Sequence, residues 1–279
     1  MAVVFEPTKG LTDKPFHYCP GCCHGIIHRL VAETLVEQDA LETAVGVASV
    51  GCTYNSYEYI ACDMVQAAHG RAPAVATGIK RNLKDSFVFT YQGDGDLASI
   101  GTAEIVHAAA RSENITVIFV NNAVYGMTSG QMAPTTLVGQ VTTTSPWGRD
   151  PSYQGYPINV SEFLSNLAGA AYVERVCVTD YKNIQNAKRA IQKAFNVQKN
   201  KLGFSLVEVL STCPTNWGKE PLAAMDWLKE NMEKQYPLGC YKGADITFDA
   251  DGKYVSGAIP ATSNNCVNVG EVKKLLISL

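Results

Sequence analysis

The sequence predicts a three-layer α/β fold, with a mostly parallel sheet between two layers of helices. Two observations lead there. Residues 87–91 and 115–120 are short and almost continuously apolar, as strands buried on both faces are. Between them, residues 100–110 carry Ile105, Val106 and Ala109 at helical spacing, so strand, helix and strand form one right-handed crossover of a parallel sheet.

The remaining elements follow in chain order. Residues 1–18 read as an irregular lead-in with prolines at Pro7 and Pro15. Ile26, Ile27, Leu30, Val31, Leu35 and Val36 then give a helix one apolar face. Residues 44–50 read as a short buried strand ending at Gly51. After a polar, tyrosine-rich stretch, His69-Gly70-Arg71 leads into Ala76-Thr77-Gly78, the expected start of another helix. Gln92-Gly93-Asp94-Gly95-Asp96 is a sharp loop after the 87–91 strand. Residues 127–157 are rich in Gly, Pro, Thr and Ser, and a loop that long inside a compact domain is usually functional. A helix over 160–168, a strand over 172–178, a helix over 184–199 and a last core strand over 205–210 complete the layers. The expected organisation is one domain over residues 1–237 and a C-terminal extension over 238–279.

Composition narrows the class. A chain of 279 residues with 46% hydrophobic content can bury one substantial core. The formal charge of −3 and the lack of any lysine or arginine run argue against a nucleic-acid binder. No apolar stretch reaches membrane-spanning length and the first residues lack a secretory pattern, so the expected location is the cytoplasm, with no membrane partner. Nine cysteines are many for a chain of this size, and an odd number cannot form a complete internal disulfide set. Clustered thiols in a reducing compartment point to metal binding or catalysis.

Two constellations carry chemistry. Asp94 offers a carboxylate at the carboxyl end of one strand and Asn122 an amide oxygen at the end of the next, where ligands of open parallel sheets bind. Hard oxygen donors suit magnesium. Gly93 and Gly95 allow a phosphate to approach the backbone, and the helix beginning near Leu97 would aim its N–H groups at it. A tight turn and an unrelated asparagine pair is the bland alternative, and each half alone is weak. The second constellation is Cys19-Pro20-Gly21-Cys22, which can bring two thiolates to one centre, with Cys52 and Cys213 at strand ends as further candidates. By spacing alone a four-thiolate zinc and an iron–sulfur cluster stand level, and a redox-active pair is a third possibility.

A resemblance separates these readings. Gly93-Asp94-Gly95 with Asn121-Asn122 resembles the thiamine-diphosphate motif, which begins Gly-Asp-Gly and ends Asn-Asn. Tyr18-Cys19-Pro20-Gly21-Cys22-Cys23-His24-Gly25 is similar to the Cys-Pro-Gly-Cys-Gly-His signature of 2-oxoacid:ferredoxin oxidoreductase β-subunits. Val50-Gly51-Cys52, His69-Gly70-Arg71-Ala72 with Ala76-Thr77-Gly78, Gly93-Asp94-Gly95-Asp96 and Val124-Tyr125-Gly126-Met127-Thr128-Ser129-Gly130-Gln131 match in family order, covering about Tyr18 to Trp217. The resemblance implies a thiamine-diphosphate-binding fold. It implies that Asp94, Asn122 and the carbonyl of Val124 hold Mg2+, and that Cys19, Cys22, Cys52 and Cys213 bind a 4Fe–4S cluster. Around thiamine diphosphate it gathers Val50, Gly51, Cys52, Thr53, His24, His69, Gly93, Gly95, Asp96, Tyr125, Gly126, Met127 and Thr128. Cys23 departs from the common signature, where glycine stands, and reads as a neighbour of the cluster. Cys62, Cys177, Cys240 and Cys266 read as incidental thiols, and His17, His28 and His107 as ordinary histidines.

The implied reaction is oxidative decarboxylation of a 2-oxoacid with coenzyme A, electrons passing through the cluster to ferredoxin. The carboxylate that activates the cofactor would come from an α-subunit, and a γ or ferredoxin-like subunit would complete the complex. Met127 and Ser129 form an expected substrate wall. Family members often carry lysine where Ser129 stands, and its absence beside apolar Met127 favours 2-oxoisovalerate, with 2-oxoglutarate next. Two rivals remain. A non-redox thiamine enzyme of decarboxylase or synthase type would share the magnesium motif without needing four cysteines. A zinc-stapled, non-catalytic α/β scaffold would leave the family order of the motifs unexplained.

Overall fold

The computed structural model describes residues 6–260. Its middle layer is a seven-stranded sheet. In spatial order the strands are β2 (Asp63–Gln66), β1 (Ala44–Ala48), β3 (Phe87–Gly93), β4 (Thr116–Asn121), β6 (Phe204–Leu210), β5 (Ala170–Cys177) and β7 (Gly239–Lys242). The first six are mutually parallel, and only β7 runs antiparallel, along β5. Strands β1, β3, β4, β5 and β6 are buried almost throughout, which is why they read as continuous apolar runs.

Side-chain alternation assigns the helices to the two faces. Phe87 and Phe89 of β3 pack with α1 (His24–Glu37), through Ile27, Leu30, Val31 and Leu35. The same face takes α5 (Tyr181–Lys199) through Ala187, Ile191, Ala194 and Phe195. Val88 and, on β4, Val117 and Phe119 face the other way, against α2 (Ala72–Asn82), α3 (Thr102–Ala110) and α4 (Val160–Ser165). The three-layer expectation holds. Among the described residues no helix is long and apolar enough to cross a membrane.

Element ends depart from the sequence reading for identifiable reasons. Helix α5 starts at Tyr181 rather than 184, because the Asp180 side chain accepts from the Asn183 N–H at 2.9 Å and caps it. Helix α4 stops at Ser165 rather than 168. The chain must then pass α3 so closely that a Cβ on Gly169 would lie 2.3 Å from the Ala109 carbonyl oxygen. The helix expected over 100–110 is broken at Gly101, and Asp96–Ile100 winds as a separate π turn. Strand β2 lies in the stretch read only as polar and tyrosine-rich; it is an exposed edge with no apolar alternation to reveal it. Strand β7 falls within the expected extension, yet it hydrogen-bonds to β5 as the opposite edge of the main sheet. Residues 261–279 of that extension, including Cys266, lie outside the described residues.

A buried ion pair sits in the middle of this frame. Arg175 of β5 is fully buried beside Glu208, its register partner on β6, which is equally buried. Its guanidinium donates to Glu208 at 2.8 Å, to both carboxylate oxygens of Glu162 at 2.8 and 2.5 Å, and to the Tyr241 hydroxyl at 2.7 Å. The rings of Tyr236 and Tyr241 lie against it at 5.2 and 4.9 Å. Burial alone would push the Arg175 guanidinium down, but Glu208 and Glu162 outweigh it and hold it above its ordinary range. Removing one partner leaves the other charged in the core. Arg175→Leu is therefore expected to cost about 3–5 kcal/mol in chemical denaturation, with the Arg175→Leu/Glu208→Leu double variant closer to the parent.

Candidate cofactor-binding site

Four adjacent parallel strands deliver the predicted residues to one edge of the sheet. Cys52 follows β1, Asp94 follows β3, Asn122 follows β4 and Cys213 follows β6, in that spatial order. Cys19 and Cys22 precede α1 in a turn closed by the Cys22 N–H on the Cys19 carbonyl at 3.0 Å.

Asp94 is 3% exposed and bonded only to neutral donors. It accepts from the Gly95 N–H at 2.8 Å, the Thr135 hydroxyl at 2.8 Å and the Asn122 N–H at 3.3 Å. Burial outweighs these bonds and pushes its carboxyl up to about 6. A buried carboxylate with no cationic partner beside an amide oxygen is a donor set that suits a hard divalent cation. The Asn122 Oδ1 accepts from the Val124 N–H at 3.3 Å, which brings Val124 to the same turn. Between them, Ala123 is buried and adopts a left-handed backbone with φ 59°.

Gly126 marks where the two constellations meet. A Cβ there would lie 3.1 Å from the Cys52 sulfur, 3.6 Å from the Cys213 sulfur and 3.5 Å from the Asn122 side-chain nitrogen. The missing side chain keeps open the space between thiols and amide. The four cysteines also feel one another. Burial pushes the Cys22 and Cys52 thiols up to about 12; neighbouring Cys23, Cys213 and Cys52 add to the first, and Cys213, Cys19 and Asp94 to the second. All eight cysteines among the described residues are free. Among these residues no three His, Cys, Asp or Glu side chains close on a single metal ion.

Other predicted residues find different work. The Asp96 carboxylate accepts from His69 Nδ1 at 2.6 Å, the Gly70 N–H at 2.7 Å and Gln92 Nε2 at 2.6 Å. It ties the start of the π turn to β3 and to the His69–Gly70 loop. The space beside Gly95 is filled by Tyr125, whose ring carbon would lie 2.2 Å from a Cβ there, and the Tyr125 hydroxyl donates to Ser99 at 2.7 Å. Gly51 and Gly93 do border open space, with nothing within 4 Å of a Cβ. Thr53 is buried and hydrogen-bonded to Ser49 at 2.8 Å, while Val50 is half-buried. Met127, Thr128 and Ser129 are exposed, and Ser129 takes a left-handed φ of 84°. A cavity of about 350 Å³ beside β5, lined by Arg175, Cys177 and Lys193, contains none of the predicted site residues.

His24 opens helix α1. It is buried, bonded to the Tyr91 hydroxyl at 2.8 Å and stacked on Tyr18. His28, read from sequence as ordinary, is fully buried in the same stack and bonded to the Tyr18 hydroxyl at 2.7 Å. Sequence reasoning also missed three side chains that hold the site together. The Thr212 hydroxyl lies 3.3 Å from the Cys23 sulfur and donates to the Gly21 carbonyl at 2.6 Å, clamping the first cysteine turn to the segment of Cys213. Asn216 donates to the Gly126 carbonyl at 2.8 Å and to the Cys213 sulfur at 3.2 Å. Thr135 braces Asp94. Only the Ser211-Thr212-Cys213-Pro214 context of the last cysteine hinted at any of them.

The family of thiamine pyrophosphate enzymes, C-terminal TPP binding domain, matches residues 44–209. Ketoisovalerate oxidoreductase subunit VorA of Methanothermobacter thermautotrophicus is 52% identical over 235 residues, covering 84% of this chain and 49% of that protein. 2-Oxoglutarate synthase subunit KorB of Methanocaldococcus jannaschii is 35% identical over 224 residues, covering 78% of each. The chain therefore belongs to the thiamine pyrophosphate enzymes, among the subunits of 2-oxoacid oxidoreductases. It spans about half the length of the VorA relatives it matches. In fold it is similar to a 2-oxoglutarate:ferredoxin oxidoreductase from Magnetococcus marinus, with a TM-score of 0.71, 23% identity, and coverage of 98% of this chain and 91% of that one.

The buried histidines make stability sensitive to acid. Burial pushes His24 down to about 3 and His28 well below 6.5, so both stay neutral in the folded chain. Below about 6.5 the unfolded chain takes up protons that the folded chain refuses, and stability falls with pH at about 1.4 kcal/mol per unit for each histidine. His28→Phe, which keeps a ring against Tyr91, is expected to flatten this acid limb in thermal denaturation followed from pH 7 to 5.

Proposed function

We propose that this chain is the thiamine-diphosphate-binding, iron–sulfur-carrying subunit of a 2-oxoacid:ferredoxin oxidoreductase. The convergence of Cys52, Asp94, Asn122 and Cys213 from four neighbouring strands on one sheet edge is the observation that carries this reading. Asp94, Asn122 and the Val124 carbonyl would hold Mg2+, which would supply positive charge for the diphosphate. Cys19, Cys22, Cys52 and Cys213 ligate a 4Fe–4S cluster, with Cys23 turned aside onto Thr212. Thiamine diphosphate supplies a nucleophilic carbon for the keto group of a 2-oxoacid, and the cluster takes up electrons one at a time.

The chain's own part is to bind, orient and space these groups. Gly51 and Gly93 leave room at the sheet edge, and Gly126 leaves open the space that a side chain would fill against the Cys52 and Cys213 sulfurs and the Asn122 amide. His69, fixed through Nδ1 on Asp96, keeps its other ring nitrogen for an anionic oxygen. The activating carboxylate comes from a partner α-subunit, so the chain alone is inactive. Ferredoxin, with or without a γ or ferredoxin-like subunit, accepts the electrons, and coenzyme A takes the acyl group. Met127, 54% exposed, gives an apolar wall, and Ser129 offers no cation to a second carboxylate. Both favour 2-oxoisovalerate over 2-oxoglutarate, in line with the name of the VorA relatives.

Anaerobic metal analysis and visible spectroscopy of the chain with its co-expressed partner test the assignment. Near four irons per chain, with a broad absorption that bleaches on adding 2-oxoisovalerate and coenzyme A, is expected; one zinc and no such band would refute the cluster. Cys213→Ser should lose iron while retaining thiamine diphosphate, and Asp94→Asn should lose magnesium-dependent cofactor binding while retaining iron. Ser129→Lys is expected to raise kcat/KM for 2-oxoglutarate relative to 2-oxoisovalerate by about tenfold, the worth of one charge-assisted contact.

A further inference from the structure

The first asparagine of the Asn121-Asn122 pair faces away from the open edge, into the core. Its Nδ2 donates to Glu208 Oε1 at 2.8 Å, and its Oδ1 accepts from the Ala123 N–H at 3.2 Å. Glu208 is itself fixed by Arg175 at 2.8 Å and by the Ser161 hydroxyl at 2.5 Å. Asn121, Glu208 and Arg175 are all fully buried. The bonded chain ends on the residue between Asn122 and Val124.

That residue is the strained one. A non-glycine side chain at positive φ is uncommon and persists only where its surroundings over-determine it. Ala123, at φ 59°, has its N–H on Asn121 and its carbonyl oxygen on the Thr136 hydroxyl at 2.6 Å. The left-handed turn is what brings the Asn122 side chain and the Val124 backbone to the same side. A second arm starts from the same guanidinium. Arg175 lies 5.2 Å from the centre of the Tyr236 ring; the Tyr236 hydroxyl donates to the Thr135 carbonyl at 2.6 Å, and the Thr135 hydroxyl donates to Asp94 at 2.8 Å.

We propose that Asn121 is a positioning residue for the divalent cation, locking Ala123 in its left-handed conformation from the Arg175–Glu208 pair. Tyr236 gives the same anchor a hold on Asp94 through Thr135. Both cation-binding positions are thereby referenced to one rigid group in the core, on the opposite side from the ligand. The inference rests on the magnesium site proposed above, and its failure can be told from the failure of that site.

The test uses the full chain with its co-expressed partner, saturated with thiamine diphosphate and titrated with MgCl2. Binding is followed by calorimetry and by the fluorescence of Trp217, whose Nε1 donates to the Asn122 carbonyl at 3.2 Å. Groups that orient metal ligands commonly contribute 10- to 100-fold in affinity. Asn121→Ala is expected to raise the Kd for Mg2+ by about that factor. Tyr236→Phe, which keeps the ring against Arg175 and removes only its donor, should raise it several-fold. Melting curves without Mg2+ are recorded in parallel. A lowered melting midpoint with an unchanged Kd in both variants would reduce Asn121 and Tyr236 to structural residues and overturn the proposal. If the unaltered protein shows no saturable Mg2+ binding, the magnesium site falls and this inference with it.

Discussion

Parallel pairing of β1, β3, β4 and β6 is the constraint on which the site depends. Neighbouring parallel strands point the same way, so their following loops all leave from one edge. Strand spacing is about 4.8 Å, so four strands in sequence present their exits within roughly 15 Å. An antiparallel neighbour in this run would have sent one of Cys52, Asp94, Asn122 and Cys213 to the far edge. The one antiparallel strand of the seven-stranded sheet, β7, is at the outer margin beyond β5, where no predicted site residue follows it.

Much of this was legible in the sequence because burial on both faces writes itself as unbroken apolar runs. Strands β3, β4 and β6 were visible for that reason, and with them the exits carrying Asp94, Asn122 and Cys213. Strands β2 and β7 were not, since an exposed edge strand needs neither apolar runs nor strict alternation. The cofactor motif was readable because its residue types follow from ligand chemistry. Thr135, Thr212, Asn216 and Tyr236 were not, because a hydrogen-bonding side chain is ordinary in sequence and acquires its role only from what stands beside it.

Motif membership also said less about individual contacts than about place. His24 belongs to the first cysteine signature, yet it points into an aromatic core with Tyr18, His28 and Tyr91. Asp96 belongs to the Gly-Asp-Gly-Asp run, yet three donors within the chain occupy its carboxylate. In both cases the side chain has partners within the chain.

The bond from the Thr212 hydroxyl to the Gly21 carbonyl joins residues 191 positions apart. During synthesis the amino-terminal thiols emerge long before this clamp can close, and the fourth thiol of the set arrives only after β6, the last strand of the parallel core. A cluster on the four thiols proposed above could therefore be completed only after β6 has been made. Biogenesis of this chain is thus a problem of timing, in which sulfur chemistry must wait for topology.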